Sequence, residues 1–135
     1  MITPLYAGLL GLIYVYLSVT VIKGRRKNKI AIGQGGTQDM MLSIRGHGNF
    51  NEYTPLFLIL LFLCEYHQVM PIFIHSAGIL FITGRICHAY SLLHDEQYDA
   101  DGGLMHNPKY RILGMMLTFV ILIGLSVINI VQYAF

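Results

Sequence analysis

Long apolar runs separated by short polar stretches set the pattern of this chain. Residues 3–22 carry no formal charge and end at a basic cluster. Residues 55–64 are apolar but too few to cross a bilayer, which takes about 20 residues. They become long enough if the helix includes the polar turns back to Asp39. Residues 71–93 form a third run, which contains Arg85 and His88, and residues 112–133 form an uncharged fourth. The runs predict an all-α, integral membrane four-helix bundle, with residues 1–135 as one domain.

The links have their own signals. Gly33, Gly35 and Gly36 lie in a polar loop over residues 28–38 that lacks the phosphate-cradling P-loop pattern. Asp39 or Thr37 can cap the helix that follows. Residues 65–68 make a very short second link, and Pro71 suits the first turn of the third helix. The third link, residues 94–108, is the longest and is interrupted by Gly102, Gly103 and Pro108. Gly8, Gly11, Gly114 and Gly124 can admit close helix contact. For Asn129, a place near the membrane interface is explanation enough.

Composition narrows the class. The 135 residues are 55% hydrophobic and 12% charged. About half the usual charge leaves too little to cover a soluble surface. A formal charge of +2 supplies no broad basic face, so no nucleic-acid partner is expected. Lys23, Arg25, Arg26, Lys27 and Lys29 are five of the nine basic residues, which makes the first loop cytoplasmic and sends both termini to the opposite side. The basic residues follow the first apolar run instead of preceding it, so this run reads as a retained helix and not a signal peptide. Cys64 and Cys87 read as buried small hydrophobes. The six histidines show no compact metal-ligand spacing, and no metal is expected.

The second helix carries the chemistry. Arg45, Asn49, Glu52 and Tyr53 follow an i, i+4, i+7, i+8 pattern and form one stripe. The stripe presents a guanidinium, an amide, a carboxylate and a phenol. Two readings stand side by side. In one, Arg45 and Glu52 neutralise each other and fix helix packing. In the other, Arg45 binds a ligand carboxylate, Asn49 bonds an amide and Glu52 holds an ammonium. Arg85 and His88 share a face one turn apart in the third helix. An unpaired arginine well along a span is costly, and Glu52 is a plausible partner for it. His88 alternatively packs against a backbone carbonyl.

The stretch RGHGNFNEYTP, with VIKGRRK before it and GRICHAY after it, resembles the membrane-associated proteins in eicosanoid and glutathione metabolism, the MAPEG family. Arg45, Asn49, Glu52, Tyr53 and Pro55 fall in register with that family's second-helix motif. The resemblance covers essentially the whole chain and implies a homotrimer with glutathione held between neighbouring subunits. It implies that Arg45, Asn49, Glu52 and Tyr53 contact the tripeptide, that Arg25 reaches a glutathione carboxylate, and that Arg85 and His88 match a Gly-Arg-x-x-His portion of the site. The family's catalytic arginine corresponds best to Arg111, with Tyr110 competing for the aligned position. Leu92 stands where a tyrosine is usual, and the acidic loop from Asp95 to Asp101 departs from the basic loop of the eicosanoid enzymes. The resemblance therefore points to a bacterial-type member in the inner membrane. It would act as a glutathione transferase or peroxidase on apolar electrophiles or lipid hydroperoxides. A non-enzymatic lipid-binding or scaffold protein is the alternative, and a transporter is a third class with no inverted repeat to support it.

Overall fold

A computed structural model describes residues 1–99, 101–105 and 107–134. Four helices account for most of them: α1 (Thr3–Asn28), α2 (Gln38–Tyr66), α3 (Pro71–Tyr90) and α4 (Lys109–Ala134). A π-helical turn, Ser91–Asp95, continues α3. The chain is thus an all-α four-helix membrane bundle. Three segments, Thr3–Asn28, Pro71–Asp95 and Lys109–Ala134, are long and apolar enough to cross a membrane. The 29-residue α2 has the length but carries the polar stripe in its first half.

Most boundaries match the apolar runs, and the deviations have physical causes. The first helix continues through the basic cluster, because Lys and Arg are good helix formers and favour a helix C-terminus. It stops at Lys29, whose left-handed conformation (φ 53°) turns its N–H back to the Arg25 and Arg26 carbonyls. Pro71 does open α3. Thr37 takes the cap position of α2, but its hydroxyl makes no cap bond.

The packing centre lies between α2, α3 and α4. Phe57 of α2 and Phe81 of α3 stack with centroids 3.8 Å apart. Leu10 and Leu17 of α1 reach the same core, while Leu12, Val15 and Tyr16 face outward. Such apolar outer surface suits a lipid solvent. Gly114 of α4 meets Gly84 of α3: a Cβ on Gly114 would lie 2.5 Å from the Gly84 carbonyl oxygen and 2.8 Å from the His88 nitrogen. The close contact expected at Gly8, Gly11 and Gly124 does not occur, since a Cβ at each would meet nothing within 4 Å. Within the single chain, these three need no small residue for packing.

Polar contacts tie together the two ends of the bundle. At one end, Gln38 Nε2 donates to the Tyr98 carbonyl at 3.4 Å, joining the start of α2, where the first loop ends, to the third loop. At the other, Glu65 of α2 accepts from the N–H groups of Ile2 and Thr3, satisfying donors at the start of α1. Asn129, near the end of α4, turns its side chain inward. Its Nδ2 donates to Leu125 O at 2.8 Å, Cys64 Sγ at 3.1 Å and Leu60 O at 3.2 Å, pinning α4 to α2. The first and third loops therefore share one end of the four-helix bundle.

Candidate functional site

The helical period puts Arg45, Asn49 and Tyr53 one above the other on α2. They line a cleft of about 560 Å³. His88 and Leu92 close it from α3 and the π-turn, and Arg111, Ile112, Met115, Met116 and Phe119 form the α4 wall. The α2 wall is cationic and polar, and the α4 wall is apolar apart from Arg111. A second cleft of about 500 Å³ shares Arg45, Leu92 and Arg111 and continues to Gln34, Gly48 and Tyr98. Five expected site residues thus meet on one cleft: Arg45, Asn49, Tyr53, His88 and Arg111.

Arg85 lies behind this wall rather than on it. Its side chain is 1% exposed. Nη1 donates to Asn49 Oδ1 at 2.7 Å, and Nη2 to the Gly114 carbonyl at 3.4 Å. The guanidinium carbon sits 5.2 Å from the Tyr53 ring centroid and 5.9 Å from that of Phe81. Amide, carbonyl and aromatic partners therefore stand in for a counter-ion. The expected Arg85–Glu52 pair does not form. Nor does an Arg45–Glu52 pair: among the described residues, Glu96 and Arg111 make the one ion pair between side chains. Successive helix residues are about 100° apart, so the turn that seats Tyr53 against α3 and α4 leaves Glu52 exposed.

Arg25 is also absent from the cleft. Its Nη1 donates to the Ala31 and Gly33 carbonyls of the first loop at 3.3 and 3.2 Å. Tyr110, the competitor for the Arg111 position, packs edge-to-face against Tyr90 with centroids 5.7 Å apart and does not line the cleft.

Arg111 is held from the third loop. Its Nη1 donates to Glu96 Oε2 at 2.7 Å and to the Tyr98 hydroxyl at 2.8 Å. The Glu96 carboxylate is itself pinned, by Ser91 Oγ at 3.0 Å and by the Tyr98 hydroxyl at 2.5 Å. The π-turn makes this possible: Glu96 N–H donates back to the Ser91 carbonyl at 2.9 Å, folding the carboxylate onto its own turn. Burial and the Glu96 hydrogen bond push the Tyr98 phenol above its ordinary value near 10. Sequence reasoning missed Ser91, Glu96 and Tyr98. Loop residues carry no period, and only the excess of acid in this stretch hinted at a use.

The comparisons with known proteins agree with this arrangement. The model of the MAPEG family matches residues 3–131. The chain belongs to the MAPEG family. Inner membrane protein YecN of Escherichia coli strain K12 is 33% identical over 94 residues, which cover 70% of this chain and 72% of YecN. YecN of Escherichia coli O6:H1 matches to the same extent. The MAPEG chain described here thus combines a bacterial relative with a polar cleft among α2, α3 and α4.

Proposed function

We propose that this MAPEG protein is a membrane-embedded glutathione transferase or peroxidase, set in a bacterial inner membrane as a homotrimer. The observation that carries the reading is the charge at the cleft. Arg45 and Arg111 line it and Arg85 backs it, while Glu96 is the one buried carboxylate beside them among the described residues. Such a site favours an anion. Glutathione fits that demand, with two carboxylates and an ionisable thiol.

When bound, glutathione supplies the thiol that adds to an apolar electrophile or reduces a hydroperoxide. The chain's own residues orient it. Arg45 takes a carboxylate, and Asn49, whose Oδ1 is committed to Arg85, keeps its Nδ2 as a donor. Arg111 stabilises negative charge on sulfur. Ile112, Met115, Met116 and Phe119 exclude water and seat an apolar acceptor. Arg25 and Glu52, outside the cleft of their own chain, serve the site of a neighbouring subunit. The trimer with glutathione between subunits is what membership of the MAPEG family suggests.

The test is a glutathione titration of wild-type and Arg45→Ala protein in detergent. Loss of a charge-assisted contact weakens binding about tenfold to a hundredfold. Equal binding, or none to wild type, overturns the reading. Native mass spectrometry reads the trimer. A second reading, a non-enzymatic lipid-binding or scaffold protein, draws on a groove of about 400 Å³ between α1 and α3 whose lining is almost wholly apolar. Co-purified lipid without any glutathione binding would favour it.

A further inference from the structure

The ion pair between Glu96 and Arg111 is the shortest among the described residues, and the proposed activity does not use it. It has a fixed partner and a movable one. Glu96 has a 1% exposed side chain and three donors on its carboxylate: Ser91, Tyr98 and Arg111. Arg111 has a 33% exposed side chain, and both of its contacts in this cluster run through Nη1. Among the described residues, no hydrogen bond uses Nη2 or Nε, and Arg111 lines the cleft. The guanidinium charge is therefore divided between a built-in carboxylate and whatever occupies the cleft.

We propose that Glu96 is a specificity-determining latch: it competes with the ligand for Arg111, so only a ligand group carrying full negative charge at that point draws the arginine into the cleft. The proposal rests on the glutathione reading and identifies the competing group as the thiolate. A neutral sulfur gains nothing from Arg111, while a thiol that releases its proton to water becomes a thiolate that gains the interaction. The latch would hold Arg111 aside when the cleft contains a neutral ligand. It would also set how much of the arginine's charge a thiolate feels, because the carboxylate repels any anion that approaches the same guanidinium.

Two measurements test it, one without glutathione. Phenylglyoxal condenses with guanidine nitrogens that it can reach, and a carboxylate that holds Arg111 Nη1 hinders its approach. Peptide mass spectrometry of the full-length protein in detergent then reads the labelling rate at Arg111, with Arg45 as internal reference. Glu96→Gln is expected to speed labelling of Arg111 about fivefold or more and to leave Arg45 unchanged. Glu96→Asp, which keeps the charge but shortens its reach, falls between. Equal Arg111 rates in wild type and both variants overturn the latch. If Glu96→Gln does not fold, Glu96→Asp alone decides by the same criterion.

The second measurement compares affinity for glutathione and for S-methylglutathione. Glu96→Gln is expected to strengthen glutathione binding roughly fivefold to tenfold, to strengthen S-methylglutathione binding far less, and to do neither in an Arg111→Ala background. A purely structural Glu96 would weaken both ligands, and equal gains for both would place Arg111 on a carboxylate; either outcome overturns the proposal. Failure of wild type to bind glutathione overturns the functional reading instead, and the labelling rates then judge the latch by themselves.

Discussion

Arg85 and Arg111 are two solutions to one problem, a cation in an apolar bundle. Arg85 is enclosed by neutral partners: an Asn49 oxygen, a Gly114 carbonyl and two aromatic faces. Arg111 is held by a carboxylate at 2.7 Å and stays one-third exposed. The difference separates scaffold from chemistry. A guanidinium surrounded by fixed dipoles has nowhere to go and holds Asn49 in place. A guanidinium with one nitrogen on a carboxylate, at the edge of a cleft, has charge and donors to give. The cleft therefore has a rigid floor and an adjustable rim.

Removing the neutral partner should hurt most. Asn49→Ala leaves Arg85 buried without its shortest hydrogen bond, and the chain is expected to lose about 3–5 kcal/mol of stability. Thermal unfolding in detergent checks this. Glu96→Ala leaves Arg111 able to turn to water and is expected to cost only about 1 kcal/mol. Equal losses in the two variants would erase the distinction between floor and rim. Gly114→Ala should fall between, at about 1–3 kcal/mol, because its Cβ overlaps the Gly84 carbonyl and the His88 nitrogen. A Gly114→Ala protein as stable as wild type would mean that α3 and α4 can part without cost.

The smallest effect concerns the rim alone. The folded state holds the Tyr98 proton more tightly than the unfolded chain does. Its contribution to stability is therefore full below the ordinary phenol value near 10 and is lost as pH rises through the higher folded value. Melting temperatures of wild type and Tyr98→Phe, measured across that alkaline window, should converge as pH rises. A constant difference would remove Tyr98 ionisation from the account.

Much of this was legible in the sequence, and the particulars show why. The four helices follow from the apolar runs, and Arg45, Asn49 and Tyr53 meet because helical spacing alone brings them together. Glu52 belongs to the same stripe on paper, but a stripe has two edges, and tertiary packing decides which is covered. The partner of Arg85 was misjudged for a related reason. Charge complementarity favoured Glu52, whereas Asn49 is the residue that faces α3. Glu96 was out of reach because it depends on a π-turn, whose i→i+5 bond leaves no trace in hydrophobic spacing. Asn129, expected only to sit near the membrane interface, also locks α4 onto α2, a contact that sequence position alone does not show.

The central claim is that the Arg45–Asn49–Arg111 cleft holds glutathione. A structure determined at saturating glutathione tests it most directly. The account predicts tripeptide density in that cleft, with the sulfur beside Arg111, a carboxylate on Arg45, and Arg25 and Glu52 of a neighbouring copy closing the site. Density confined to the groove between α1 and α3, or an empty cleft at saturation, would contradict it.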